Sequence, residues 1–177
     1  KVSIFPGITI NNKYKVSSVT DGRASFAFED YYLPEGATYV KTDGKINYAL
    51  YPYANENSIT KEGVITANLP ASITYNGPAN SIKTALMAAK AENGNLNFKN
   101  VQGILRLRLD ALQPFYEVKS ITLKSSKVLS GKVTIKFNDN GLPEATMAEN
   151  GGDTLTLNLS EGYQKCLERA NSGKYSE

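Results

Sequence analysis

The chain of 177 residues can bury a core without disulfide staples, and 41% hydrophobic with 21% charged residues is ordinary for a globular protein. A net charge of +3, with Lys and Arg scattered among Asp and Glu, implies no strong pull toward nucleic acid. Histidine is absent and Cys166 is the single cysteine, which removes the commonest general base, the commonest metal ligand, an intramolecular disulfide and a thiolate metal site.

Strand-like runs recur at short spacing, separated by Gly, Asn, Asp and Pro. In chain order they are residues 2–5, 8–10, 15–19, 23–28, 38–41 and 47–53, then 64–69, 96–98, 103–109, 118–124, 128–137 and 154–159. Several alternate with period two, as a sheet with one wet face requires. Phe26 and Phe28 alternate in this way. So do Leu105, Leu107 and Leu109 against Arg106 and Arg108, and Leu155, Leu157 and Leu159 against Thr156 and Asn158. Asp21-Gly22, Asp43-Gly44 and Asn140-Gly141 suit the left-handed conformations of tight hairpins. Pro52, between Tyr51 and Tyr53, predicts a strand near a sheet edge or one carrying a bulge. Residues 81–92 are rich in Ala, Lys, Leu and Met, so intrinsic propensity predicts a short helix ended by Asn93-Gly94. Ser160 is an N-cap candidate, and Tyr163, Leu167 and Ala170 have helical spacing, which predicts a short helix or frayed tail. Residues 172–177 read as disordered. The pattern predicts an all-β chain folded as a β-sandwich, with a domain over 1–160 and a C-terminal helix or tail over 161–177.

Little chemistry can be read. Nucleophilic catalysis needs a nucleophile beside a base; without His, the Ser–His–Asp and Cys–His arrangements are impossible. Ser17, Ser58 and Ser125 sit in apparent strand ends or turns, and no Ser-x-x-Lys opens a convincing helix. Cys166 reads as a small half-buried side chain. Glu29-Asp30-Tyr31-Tyr32 is the one acidic-aromatic cluster; it suits either a sugar-stacking surface or a solvated strand end. Asn138-Asp139-Asn140-Gly141 is rich in oxygen ligands, but Glu144 follows too soon for a calcium loop and a hairpin turn fits better. Arg106 and Arg108 fall on a polar strand face with no flanking aromatics, a poor nucleic-acid site. No catalytic, metal or cofactor-binding residue is assigned.

Tyr48, Tyr51 and Tyr53 are the conspicuous surface candidates. They either pack the sandwich or line a ligand or partner surface. Asn158-Leu159-Ser160 matches the N-glycosylation sequon, and Asp153-Thr154-Leu155 has the Asp-Thr-aliphatic pattern of a Bacteroidetes O-glycosylation site, at Thr154.

The order of several motifs goes further. Tyr48-Ala49-Leu50-Tyr51-Pro52-Tyr53, Leu69-Pro70, Leu86-Met87-Ala88-Ala89 and Leu96-Asn97-Phe98-Lys99-Asn100 are followed by Gly103-Ile104-Leu105-Arg106-Leu107 and Leu129-Ser130-Gly131. Together they resemble the N-terminal domain of the fimbrillin-like surface lipoproteins of Bacteroidales, over about residues 48–137; residues 1–45 match more loosely. The resemblance implies a β-sandwich of transthyretin-like, Greek-key topology, and extended chain rather than helix near Leu86-Met87-Ala88. It implies an exported protein of the outer-membrane surface or fimbrium. Its membrane link would be an upstream lipid anchor, since no lipidation Cys lies near Lys1. It also implies other fimbrial subunits as partners, joined by donor-strand exchange in which an edge supplies backbone hydrogen bonds and a groove takes alternate side chains.

Three functions are thus weighed. The first is a non-enzymatic structural or adhesive surface protein, which would carry an open edge or groove and could contact host or bacterial glycans or proteins. The second is a carbohydrate-binding module of a glycan-utilisation system, which would show a row of exposed coplanar tyrosines. The third, an enzyme, would need clustered carboxylates in a deep pocket.

Overall fold

A computed structural model of the protein describes residues 1–7, 9–38, 40, 47–77, 85–106 and 118–161. These contain β1 (Val2–Pro6), β2 (Asn11–Thr20), β3 (Arg23–Tyr32), β4 (Asn47–Tyr51), β5 (Ser58–Ile59), β6 (Ile65–Leu69) and β7 (Ser72–Tyr75). They also contain β8 (Met87–Glu92), β9 (Asn95–Leu96), β10 (Lys99–Asn100), β11 (Ser120–Lys124), β12 (Gly131–Phe137), β13 (Pro143–Met147) and β14 (Thr154–Leu159). The chain is all-β and sandwich-like. A seven-stranded sheet runs β10-β8-β4-β1-β2-β3 with β9 also on β8, a four-stranded sheet runs β13-β12-β6-β5, and a three-stranded sheet runs β11-β14-β7.

The middle of the large sheet is closed to water on both faces. Along β1, Ser3 and Phe5 point to one side and Val2 and Ile4 to the other, and all four are buried. On β4, Tyr48 and Leu50 alternate with Ala49, and on β8, Ala88 opposes Ala89. Phe5, Tyr48, Leu50 and Ala88 pack on Ile59, Ile65, Ala67, Val133 and Ile135 of the four-stranded sheet, forming the sandwich core. The opposite face, Val2, Ile4, Ala49 and Ala89, is covered by Tyr14, Phe26, Tyr51, Leu96 and Phe98. Phe26 lies on β3 and Phe98 just after β9, yet their ring centroids are 6.3 Å apart. Those elements sit toward opposite ends of the strand order, so the large sheet curls until the two meet.

Among the described residues of the Ala-rich segment, Met87–Glu92 is a strand, whereas propensity predicts helix. Met87–Glu92 is paired on both sides, by β4 and by β9 and β10. Ala88 and Ala89 are small enough to be fully buried on opposite faces, and that burial outweighs a per-residue helix preference of about 0.7 kcal/mol or less.

Several strand expectations need correction. The Pro52 argument placed residues 47–53 at an edge or bulge, but β4 is an interior strand between β1 and β8. Pro52 follows the last paired residue, Tyr51, so its missing N–H removes no ladder bond. Described residues 103–106 of the Leu/Arg alternation are not strand, and Ile104 and Leu105 are 75% and 64% exposed. Alternation marks two faces but supplies no hydrogen-bonding neighbour. Described residues of 8–10 and 38–41 are likewise outside strands. β5, β7 and β13 escaped notice: β5 is two residues long, β7 is largely polar, and β13 starts at a proline and contains Glu and Ala. β13 exists because the Asn140-Gly141 turn delivers it to β12. The helix or tail over 162–177, Cys166 and Asp43-Gly44 lie outside the described residues.

The four- and three-stranded sheets are joined at a close backbone approach. Ser130 bridges Gly152, and the Ser130 hydroxyl donates to the Thr154 carbonyl at 3.3 Å. A Cβ on Gly151 would overlap the Ser130 carbonyl and Val128 Cγ1, and one on Gly152 would lie 2.6 Å from Ser130 Oγ. Gly151→Ala is therefore expected to destabilise the protein by about 1–3 kcal/mol through overpacking in urea unfolding. Gly103→Ala, whose Cβ meets nothing within 4 Å, is expected to change stability by less than about 0.5 kcal/mol.

Candidate functional site: an open sheet edge

The large sheet ends at β3, ten residues long, whose other side has no strand partner among the described residues. Its length comes from the hairpin with β2. Asp21 and Gly22 take φ of 51° and 73°, the left-handed pair of a tight turn whose twist matches the flanking strands. Arg23–Tyr32 contains neither Lys nor Pro, two of the residues that blunt sheet edges.

Two irregularities shape the hairpin. The register skips Ser17 on β2 and Glu29 on β3. Ser17 fills its bulge by donating its hydroxyl to the Ser25 carbonyl at 3.2 Å. Glu29 accepts a 3.0 Å hydrogen bond from Lys1 Nζ and lies 3.7 Å from Lys13 Nζ. The Lys1 bond holds the Glu29 carboxyl below its ordinary value of 4.5 and, with the sign reversed, raises Lys1 above 10.5.

The register divides the side chains between two faces. Phe28 lies opposite Tyr14 and Tyr31 opposite Asn12, on the face that also carries Phe26. Tyr14 and Phe28 meet edge to face, with centroids 5.7 Å apart at 79°. Phe28 is 54% and Tyr31 58% exposed, and Val16, opposite Phe26, is 49% exposed. This apolar stripe continues the second core cluster outward to the edge. Asp30 and Tyr32 lie on the other face with Lys13 and Asn11. There Lys13 Nζ sits 5.3 Å from the centre of the Tyr53 ring.

The three tyrosines singled out from sequence do not form one surface. Tyr48 is a core residue, 8% exposed and packed on Phe137 at 5.8 Å between centroids. Burial pushes its hydroxyl above the usual phenol range. Tyr51 is on the opposite face of β4, against the second cluster. Tyr53 follows the strand; its hydroxyl donates to Asn55 Oδ1 at 2.9 Å, and burial first, then Asp30, raises its pKa. Of the two sequence readings, packing holds for Tyr48 and Tyr51: alternation sends them to opposite faces, and Pro52 turns the chain before Tyr53. Thr154 opens β14 opposite Lys124 and is half-buried.

The remaining chemistry candidates have structural partners. Asn138 Oδ1 accepts from the backbone N–H groups of Asn140 and Leu142, each at 3.0 Å, and Nδ2 donates to Glu144 at 2.9 Å. Its oxygen is thus spent inside the hairpin turn. Ser125 accepts from the Lys127 N–H at 3.0 Å. A shallow depression of about 240 Å³ lies over Tyr48 and Phe137, flanked by Lys90, Lys136 and Glu62. Among the described residues, no group of three or more Cys, Asp or Glu is placed to hold a metal, and no helix is long and apolar enough to cross a membrane.

Sequence reasoning located the first part of β3, and its solvated-strand-end reading of Glu29-Asp30-Tyr31-Tyr32 holds, since these residues are the exposed end of β3; what it did not find was the length of the edge. The missed signal was the continuous Lys-free, Pro-free run from Arg23 to Tyr32. No family model, curated protein or solved structure matches this chain.

Because the folded pKa of Glu29 is lowered, its ion pair stabilises the fold above the ordinary carboxylate range and stops doing so as pH falls through the lowered value. Glu29→Gln is expected to be slightly less stable than wild type at neutral pH in low salt. The two chemical-denaturation curves should converge in acid and in high salt. A difference unchanged by both would remove the ion pair as its cause.

Proposed function

We propose that this is a non-enzymatic structural or adhesive protein of the cell surface, a fimbrial subunit or minor fimbrial component acting by strand addition at β3. One observation carries the proposal: β3 offers ten residues of sheet edge without a strand partner among the described residues, beside an exposed apolar stripe. An incoming strand would take its affinity from backbone hydrogen bonds and its selectivity from alternate side chains meeting Phe28 and Tyr31. The motif order that resembles fimbrillin-like lipoproteins supports the same reading, with an upstream lipid anchor and other fimbrial subunits as partners.

The carbohydrate-binding alternative fits less well. Stacking on sugars wants flat, parallel rings, whereas Tyr14 and Phe28 meet at 79° and the three tyrosines of residues 48–53 divide between faces. An enzymatic reading has no histidine in the chain to draw on, and the depression over Tyr48 and Phe137 holds a single carboxylate, Glu62.

The test is hydrogen exchange on the purified chain and on the same chain recovered in assembled form from the cell envelope. Amides of residues 23–32 are expected to gain protection on assembly, and protease on intact cells should reach the protein. If these amides exchange equally fast in both forms, or protease spares the protein until cells are broken, the proposal fails.

A further inference from the structure

We infer that the β3 edge is complementary to itself: it pairs with β3 of a second copy, antiparallel about a two-fold axis at Ala27. The inference rests on the strand-addition reading and specifies its partner.

A two-fold axis perpendicular to a sheet reverses strand direction but keeps each face on its own side. Residues paired across it must therefore share a face. On β3, Phe26 and Phe28 share the apolar face, with Ala27 on the opposite side. Centring the axis on Ala27 pairs Ala27 with its own copy and Phe26 with Phe28, twice by symmetry. Aromatic pairs directly opposite one another are among the favourable cross-strand pairs. Four phenylalanines then form one row, covering the exposed ring of Phe28 and continuing the second core cluster from one copy into the next.

The charges agree with this register. If the partner skips the Glu29 bulge, as β2 already does, Ser25 meets Asp30, Ala24 meets Tyr31 and Arg23 meets Tyr32. Each pair again shares a face, because the bulge shifts the alternation of residues 30–32 by one. Arg23 of one copy thus lies over Tyr32 and diagonal to Asp30 of the other, on the polar face. Neither Arg23 nor Asp30 has an ion-pair partner among the described residues. The second bulge residue, Ser17, is on the inner strand and leaves the open side of β3 undisturbed. Pairing displaced by one residue would set Phe26 opposite Ala27 and bring opposite faces together, which the symmetry forbids.

The experiment uses the full chain with Cys166→Ser. Ala27→Cys is expected to cross-link to its copy through a short bis-maleimide. Ser25→Cys should not, since the two Ser25 sites would stand about 13 Å apart, four residues along the strands. Phe28→Lys should weaken dimerisation in sedimentation by about tenfold or more, through loss of both aromatic pairs and the charge placed on the edge. Circular dichroism would confirm that each variant folds. Equal cross-linking at residues 25 and 27, or a wild-type chain that stays monomeric at its highest soluble concentration, would overturn the inference. If β3 amides are protected in assemblies yet Ala27→Cys does not cross-link, only the self-pairing fails; without protection, strand addition fails too.

Discussion

Three neighbouring strands, β8, β4 and β1, have both faces shut off from water, and the rest of the architecture answers that condition. Backbone N–H and C=O groups there cannot turn to solvent and must find partners in the ladder. The ladder cannot stop in the dry region, so pairing continues outward until the chain is wet. On one side it ends in the short strands β9 and β10; on the other it runs through β2 to β3. Double burial also demands a cover for each face. The four-stranded sheet covers one, and the curl that brings Phe26 to Phe98 covers the other. Fully buried Ser3 accepts from Asn57 Nδ2 at 3.0 Å, so its hydroxyl too is satisfied inside the sheet.

The proposed function grows from the same condition. A sheet that must extend past its dry centre leaves a last strand, and here that strand is long because a left-handed Asp-Gly turn returns it along β2, with two bulges. The bulge at Glu29 breaks the edge after six straight residues, 23–28. Bulges often protect edges by twisting them away. Here β2 pairs on both sides of the skipped Glu29, and the proposed partner would do the same, leaving an apolar centre with unlike charges at its two ends. Reactive side chains have little part in such a design, in keeping with a composition that lacks histidine.

Much of the fold was legible in the residues. The all-β class followed from recurrent short runs and turn residues, and Asp21-Gly22 and Asn140-Gly141 marked real hairpins. β1 and β6 followed from their apolar runs, and β14 from its Leu/polar alternation. The Leu/Arg alternation misled over its described residues 103–106 because periodicity describes a face, whereas a strand also needs a neighbour. Tyr48 and Tyr51 pack on opposite faces of β4, the packing alternative of the sequence reading, because adjacency in sequence is not adjacency on a sheet. The edge was only half visible, since nothing local distinguishes an outermost strand from an inner one.

The sequence by itself determined that this protein is built of short β-strands joined by Gly- and Asn-rich turns, and that histidine chemistry is closed to it. Those properties are local, set by side-chain alternation, left-handed turn residues and the inventory of residue types. Only the tertiary structure decided that Met87–Glu92 is a strand, that Tyr48 is core and that β3 has no outer strand partner among the described residues. Each depends on which distant segment supplies the neighbouring ladder and which face it covers. Hydrogen-bond pairing and burial are shared between residues far apart in the chain, so no window of sequence holds them.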